Sequence, residues 1–225
     1  MEQKVQTIGE KTCRIHWTEL PEVIMIQPIG YQHASRVDEE IAWIRQRSNK
    51  PFVLAAFEIA DWEKELLPWA DPMVSKVQGV GEHAYDTLAY IEQELLPVLY
   101  AHFGVLPSIL GGYSLGGLFA LWASMQTERF VGIAAASPSV WVKGWLEYVR
   151  AHPTRAQRIY MSLGNKEANS KNKAIAEVDN CISEYHKQLL MQLGVEHTVL
   201  EWNEGSHFCN IAARTARGFL WNLAV

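Results

Sequence analysis

The chain has 225 residues, 48% hydrophobic and 20% charged, which is ordinary for one globular α/β domain with a full core. Its formal net charge of −5 argues against nucleic acid or an anionic membrane surface as the main partner. The three cysteines are scattered and have no metal-ligand spacing, so we expect reduced thiols, no metal site and a cytoplasmic location.

Predicted strands and helices alternate along the chain. The first six residues lack the apolar core of a signal peptide, and no apolar run is long enough to span a bilayer. The alternation predicts a mostly parallel sheet with helices on both faces, in a single α/β domain over residues 1–225. The predicted strands are Cys13–Thr18 at an edge, Glu22–Gln27, Pro51–Ile59, Ser108–Gly112, Phe130–Ala136, Arg158–Leu163 and Val195–Trp202. The predicted helices are Ser35–Arg47, His83–Phe103 with a kink at Pro97, Leu115–Met125, a short one ending near Arg150, Asn172–Leu193 and Cys209–Leu223.

Two connections are notable for their length or composition. The segment Pro28-Ile29-Gly30-Tyr31 is predicted as a turn after the second strand. The segment from about residue 60 to 82 is predicted as irregular, and loops of this length are usually functional or disordered. Its tryptophans argue against disorder, which makes it a candidate for a partial cover over a cleft. The short stretch between residues 136 and 158 leaves no room for a large cap there.

The pentapeptide Gly112-Tyr113-Ser114-Leu115-Gly116 joins a predicted strand to a predicted helix. A nucleophile elbow needs small residues two positions before and after its serine, because the turn is strained. Gly-x-Ser-x-Gly alone is a weak pattern that also serves packing, but the flanking strand and helix favour a catalytic role. We therefore predict that Ser114 is a nucleophile.

A serine nucleophile needs a general base, and His207 is the candidate. It follows the last predicted strand in a Gly-Ser-His turn, which places its ring at the same edge of the sheet as Ser114. The other seven histidines are predicted in helices, in strands or in or beside other loops: His16, His33, His83, His102, His152, His186 and His197.

The base in turn needs an acid, and Glu167 follows the preceding strand. Serine, then acid, then histidine is the order expected of an α/β-hydrolase. Asp179 is the alternative, although its setting indicates a helix. Glu201 and Glu204 are too close to His207 in sequence to approach it in the usual way.

The remaining predicted site residues would bind the substrate. The backbone N–H of Leu115 is expected in the oxyanion hole, with a second donor from Ile29 or Gly30. The side chains that follow strands and could wall a cleft are Trp62, Trp69 and Trp141, each of which could equally be core packing. No nucleotide, flavin or metal motif is present, so no cofactor is expected.

Four segments together resemble the putative esterase family of α/β-hydrolases, which groups esterase D-like and enterochelin esterase-like enzymes. They are the elbow over Ile109–Ala120, then Ser137-Pro138-Ser139-Val140-Trp141, Ser162–Glu167 and Glu204–Phe208. The resemblance covers about Glu22 to the C-terminus and implies a triad of Ser114, Glu167 and His207. The departure is at Pro28–Tyr31, where relatives often carry Asp-Gly or His-Gly.

The resemblance implies a three-layer α/β-hydrolase fold without a large cap, and a serine hydrolase that cleaves a small-molecule carboxylic ester through an acyl-enzyme. The family's substrates range over siderophore esters, thioesters and carbohydrate esters, so membership does not name one. An acyltransferase or amidase with the same triad is an alternative, and a non-catalytic hydrolase-like binding module is another. The oligomeric state is not indicated.

Overall fold

The computed structural model describes residues 1–30, 34–75 and 80–223, and eight strands within them form one sheet. The strands are β1 (Glu2–Ile8), β2 (Lys11–Trp17), β3 (Ile24–Gly30), β4 (Val53–Ile59), β5 (Ser108–Tyr113), β6 (Phe130–Ala136), β7 (Arg158–Gly164) and β8 (Thr198–Asn203). Their order is β1-β2-β4-β3-β5-β6-β7-β8. The first two pairings, β1 with β2 and β2 with β4, are antiparallel, and the remaining pairings are parallel.

Helices cover both faces of this sheet and give the three-layer architecture that was predicted. They are α1 (Ala34–Arg45), α2 (Trp62–Leu66), α3 (Ala84–Tyr90), α4 (Leu96–Phe103), α5 (Leu115–Gln126), α6 (Trp145–Ala151), α7 (Lys173–Ala176), α8 (Val178–Leu193) and α9 (Ile211–Leu223). Helices α1 and α9 pack together on one face, against residues such as Met25 and Leu54. The strand neighbours Ile24 and Val53 point to the opposite face and join the larger core, which includes α5 and α8. No large cap covers the sheet within the described residues.

The N-terminal hairpin corrects two predictions. Strand β1 was not predicted, because Glu2–Ile8 is polar and almost entirely exposed. It pairs with β2 through a tight turn at Gly9, whose φ of 56° favours glycine. Strand β2 is therefore not an edge strand, since it lies between β1 and β4.

The segment Pro28–Gly30 belongs to β3 rather than to a turn, while Tyr31 lies outside the described residues. Pairing between β3 and β5 ends at Ile26, whereas pairing with β4 continues to Gly30. Because β3 has only one partner strand at this point, a proline without an N–H is tolerated in it.

The long helical prediction over 83–103 is interrupted. A single π-helical turn, Ile91–Leu95, separates α3 from α4, and Pro97 is the second residue of α4. Proline cannot donate a backbone hydrogen bond and its ring crowds the preceding turn, which explains an irregularity at this place. The segment predicted as irregular after β4 contains the short helix α2, capped by the Asp61 side chain.

The strand order places a crevice beside the end of β5. The chain builds β4 on one side of β3 and then returns to place β5 on the other side. In open α/β sheets, ligands bind at such a reversal, beyond the carboxyl ends of the strands. Ser114 comes immediately after β5 and therefore lies at this crevice.

Candidate active site

Ser114 occupies a strained turn between β5 and α5. Its φ of 59° and ψ of −121° are rare for a residue with a side chain. A Cβ on Gly112 would lie 2.6 Å from the backbone carbon of Gly116, so the elbow requires glycine at residue 112. The turn is held by hydrogen bonds from Ser114 N to Ala136 O at 3.1 Å and from Leu118 N to Ser114 O at 3.0 Å.

The structure brings the side chain of His207 to Ser114. The distance between His207 Nε2 and Ser114 Oγ is 3.1 Å, a hydrogen-bonding distance. The backbone carbonyl of His207 accepts a hydrogen bond from the Tyr113 hydroxyl. Burial raises the pKa of Tyr113 to about 12, so this hydroxyl stays protonated and can donate.

The loops that carry the acid and the histidine are tied together. Asn165 N donates to Asn203 O at 2.8 Å, and Lys166 N donates to Gly205 O at 3.1 Å. A Cβ on Gly164 would lie 2.4 Å from Gly205 O, so the two loops approach too closely for a larger residue there. This contact fixes the position of the acid relative to His207.

Glu167 is the carboxylate that contacts His207. Its Oε2 lies 2.7 Å from His207 Nδ1, on the side of the ring that faces away from Ser114. Its Oε1 accepts hydrogen bonds from Gly164 N at 2.7 Å and Ser137 Oγ at 2.8 Å, and it pairs with Arg214 Nη2 at 2.6 Å. The alternative acid, Asp179, lies in the first turn of α8, next to Glu167 rather than on the histidine ring.

Glu167 is held in its ionised form. Burial alone would raise the pKa of its carboxyl. The hydrogen bonds from His207, Arg214, Gly164 and Ser137 outweigh that effect and lower the pKa to about 2. A buried carboxylate that stays charged can orient the imidazole and stabilise its protonated form.

Three residues that were not predicted as site residues complete this cluster, although Ser137 and Ser139 belong to one of the segments that carry the resemblance. Ser137 follows β6 and donates to Glu167, as described above. Ser139 places its Oγ 3.4 Å from Ser114 Oγ. Arg214 comes from α9 and is 1% exposed. The position of Ser137 at the end of a strand, at the same sheet edge, was a usable sequence indication, whereas nothing local marks Arg214 as part of a site.

The predicted oxyanion residues lie around Ser114. Leu115 is the first residue of α5, where a backbone N–H has no partner within the helix. Ile29 and Gly30 end β3 and line the same pocket as Ser114. Both residues therefore lie at the pocket that opens on Ser114, and their role as a second oxyanion donor stays a prediction.

Within the described residues, two open pockets flank Ser114 and His207. The first, which we call the β3-side pocket, has a volume of about 210 Å³ and lies between the end of β3 and helices α1, α2 and α9. Trp62 lines it, next to Gly116. Gln27 and Glu40 form a polar part of its wall, and the Gln27 amide donates to the Glu40 carboxyl.

The second, the β7-side pocket, has a volume of about 290 Å³. Trp141 lines it together with Ser139 and Lys166. Phe208 lines both pockets and is 82% exposed, so it stands at their shared mouth. Phe208 is therefore placed to contact a ligand in either pocket.

Trp69 lies apart from these pockets. Its ring packs 4.9 Å from that of Tyr148 and 6.3 Å from that of Trp145 on α6. Its Nε1 donates to Lys143 O at 2.8 Å. Among the described residues that line the two pockets, Trp62 and Trp141 are present and Trp69 is not. Trp69 therefore anchors the loop after α2 to the body of the protein.

The described ranges also bear on metal binding, membrane crossing and the state of the cysteines. Residues 1–30, 34–75 and 80–223 contain no group of three or more His, Cys, Asp or Glu side chains arranged to hold a metal ion. None of the helices within these ranges is long and apolar enough to cross a membrane. The cysteines are free thiols: Cys13, Cys181 and Cys209.

The fold, with a strained serine at the end of a central strand, defines the class of α/β-hydrolases. Residues 23–208 match the model of the family described as "Putative esterase". The chain belongs to this family, as the resemblance predicted, and it is a hydrolase that acts on esters. No match was found among the curated protein sequences.

Solved structures share the fold. The siderophore hydrolase EstA from Aspergillus nidulans is similar with a TM-score of 0.74 and 21% identity, over 100% of this chain and 94% of that one. An IroE-like serine hydrolase from Shewanella oneidensis has a TM-score of 0.76 and 13% identity, over 98% and 79%. The enterobactin esterase FES from Shigella flexneri has a TM-score of 0.71 and 17% identity, over 99% of this chain and 58% of that one.

Proposed function

We propose that this protein is a serine carboxylic ester hydrolase in which Ser114, His207 and Glu167 form the catalytic triad. The observation that carries the proposal is the continuous hydrogen-bonded chain of these side chains, with distances of 3.1 Å and 2.7 Å. This series of hydrogen bonds ends at the Glu167 carboxylate, which its surroundings keep ionised. This arrangement is what a serine nucleophile with a histidine base requires.

In the first half of the reaction, His207 Nε2 accepts the proton of Ser114 Oγ as that oxygen attacks the ester carbonyl carbon. A tetrahedral intermediate forms, and its oxyanion is bound by the N–H of Leu115 and by that of Ile29 or Gly30. The imidazolium then gives its proton to the leaving alcohol, and the C–O bond breaks to leave an acyl group on Ser114.

In the second half, water replaces the alcohol. His207 takes a proton from the water as its oxygen attacks the acyl carbon, and the second tetrahedral intermediate collapses to release the carboxylic acid and Ser114. Glu167 remains ionised throughout, which holds the imidazole orientation and stabilises the imidazolium. Every proton is supplied and returned by His207, so the proposed cycle needs no cofactor.

The two pockets suggest how the substrate lies. An ester carbonyl over Ser114 extends in two directions, and the pockets diverge from this point. We propose that one pocket takes the acyl part and the other the alcohol part of a small-molecule ester, with Trp62 and Trp141 as aromatic walls. The proposed cytoplasmic location and single-domain organisation stay predictions from the sequence.

The test compares Ser114→Ala with Ser183→Ala on p-nitrophenyl acetate and butyrate. Ser183 is a half-buried serine on α8 that lines neither pocket, so its variant controls for the loss of a hydroxyl. We expect Ser114→Ala to lose turnover by at least about 10⁴-fold while keeping its circular dichroism spectrum, and Ser183→Ala to match the wild type. Ordinary turnover by a folded Ser114→Ala protein would refute the proposed mechanism.

A further inference from the structure

Arg214 is one of the most deeply buried charged groups in the described part of the chain. It lies in the first turn of α9, seven residues after His207, and is 1% exposed. Its Nη2 contacts Glu167 Oε1 at 2.6 Å and also donates to Ser137 Oγ. Its Nη1 donates to the Tyr113 hydroxyl at 2.9 Å. One guanidinium thus reaches both the acid and the residue that holds the histidine backbone.

A buried guanidinium is costly unless it is paired, so its presence needs a reason. The planar fork of arginine can bind two partners in fixed directions, which a lysine ammonium cannot do equally well. Nη2 occupies the side of the Glu167 carboxylate that faces away from the histidine ring. Oε2 is therefore left to His207 Nδ1. Nη1, through Tyr113, supports the His207 carbonyl.

We infer that Arg214 is a positioning residue of the Ser114 site, which aims Glu167 Oε2 at the imidazole and fixes the His207 backbone through Tyr113. The inference rests on the proposed function, because it assigns a role within the proposed triad. Arg214 contacts no reacting atom; it acts through Glu167 and Tyr113.

The positive charge of Arg214 also affects the pH dependence of activity. The active form of the Glu167–His207 pair is an ionised carboxylate with a neutral imidazole, and adding one proton gives the pair one more positive charge. The guanidinium repels that charge, so Arg214 favours the active form at low pH. Replacement of Arg214 by a neutral residue should therefore move the acid limb of kcat/KM to higher pH. Among the described residues, the other charged or titratable groups that face this cluster are Tyr113 from β5, Lys166 beside the acid, Asp179 from α8 and Cys209 after the histidine.

The first test compares Arg214→Met, Arg214→Lys and Arg217→Met. Arg217 lies on the same helix, is half-exposed and pairs with Glu201, so it is a matched control outside the site. We expect Arg214→Met to lower kcat by roughly 10–100-fold, as the loss of a residue that orients a functional side chain commonly does. We also expect it to move the acid limb of kcat/KM to higher pH by about one unit. Arg214→Lys should keep the wild-type acid limb, since the charge remains, but should lower kcat because the fork is lost. Arg217→Met should match the wild type in both.

The second test asks whether Arg214 acts through Glu167. In a Glu167→Gln background the carboxylate is absent and only the route through Tyr113 remains, so adding Arg214→Met should lower kcat by a smaller factor than it does in the wild-type background. An equal cost in both backgrounds would overturn the inference. So would a wild-type kcat in either folded Arg214 variant, or an acid limb that moves equally in the Met and Lys variants. If the Met variant does not fold, the lysine variant alone decides, by its lower kcat and unchanged acid limb.

The rate at which a fluorophosphonate probe labels Ser114 separates this inference from the proposed function. Peptide mass spectrometry should locate the label on Ser114 in the wild type. If Arg214→Met is labelled at least tenfold more slowly than the wild type, the result supports both the proposed function and the role of Arg214. Labelling of both proteins at the same rate refutes only the role of Arg214. Absence of labelling at Ser114 in the wild type contradicts the proposed function itself.

Discussion

Two buried glutamates lie on opposite sides of Ser114, and their surroundings give them opposite charge states. Glu167, on the β7 side, has a guanidinium, a hydroxyl and a backbone N–H on Oε1 and the imidazole on Oε2. Glu40, in the wall of the β3-side pocket, accepts a hydrogen bond from the Gln27 amide. The pKa of the Glu167 carboxyl is lowered to about 2 by its partners, whereas burial raises the pKa of Glu40 to about 8.

This difference shows that burial alone does not decide whether a carboxyl is charged. For Glu40 the burial effect dominates, and the Gln27 amide and Arg36 offset only part of it. For Glu167 the same burial effect is overcome by four partners. We infer that near neutral pH Glu167 serves as a charged partner of His207, while Glu40 presents a neutral carboxylic acid to the β3-side pocket.

The largest effect that tests this comparison is on turnover. We expect Glu167→Gln to lower kcat by about 10⁴-fold, because an amide cannot stabilise the imidazolium. The matched change on the other side, Glu40→Gln, should leave kcat within about fivefold, since a glutamine resembles the neutral acid it replaces. Steady-state kinetics on one p-nitrophenyl ester measures both. Comparable losses in the two variants would show that the glutamates do not differ in role as we infer.

A smaller effect is expected on stability, with opposite signs for the two groups. Glu167 binds its proton less readily when folded than when unfolded, so its contribution is present above about pH 4.5 and is lost as the pH falls toward about 2. Glu40 binds its proton more readily when folded, so its contribution is present below about pH 4.5 and is lost as the pH rises through about 8. Glu40→Gln should therefore gain stability relative to the wild type between these values, by on the order of a few kcal/mol.

Denaturant unfolding at pH 5, 7 and 9 checks this second prediction. The free energy of unfolding of the wild type, minus that of Glu40→Gln, should become more negative as the pH rises. Glu19→Gln serves as the control, because Glu19 is an exposed carboxyl on another part of the chain. A difference that stays constant with pH would mean that Glu40 is ionised in the folded protein.

The smallest expected effects concern the two pockets. We expect Trp62→Ala and Trp141→Ala each to raise KM by roughly 3–30-fold, with little loss of kcat for short esters, because each removes a wall that touches substrate rather than a reacting group. Each variant should be assayed on two ester series, one with acyl chains of increasing length and one with alcohols of increasing size. One variant should alter the preference in the acyl series and the other in the alcohol series. Changes in the same series for both would contradict a division of the substrate between the pockets.

Much of the fold could be predicted from the sequence, because the central strands are buried on both faces and read as continuous apolar runs. Residues 53–59 and 130–136 are examples, and both are strands in the structure. The missed strand β1 carries no such pattern, since its residues are exposed at the sheet edge. The extension of β3 through Pro28 depends on where pairing with β5 stops, which is a property of the assembled sheet.

The candidate site, like the fold, could be predicted from the sequence only in part. Ser114, Glu167 and His207 each follow a strand, and parallel strands bring their carboxyl ends to one edge, so order along the chain was enough to group them. Arg214 was not predictable by that reasoning, because it reaches the site from within a helix. Trp69 shows the converse, since it follows a strand and a short helix yet packs against α6. Position along the chain does not specify the direction of a side chain.

The central claim, that Ser114 becomes acylated during ester hydrolysis, is tested most directly by intact-protein mass spectrometry on rapidly quenched reactions with p-nitrophenyl butyrate. We predict a transient mass increase equal to one butyryl group, mapped to the peptide that contains Ser114 and absent from Ser114→Ala. It should accumulate further in Glu167→Gln if deacylation is slowed more than acylation. Turnover of the ester by a protein that is labelled elsewhere, or by Ser114→Ala at the wild-type rate, would contradict the account.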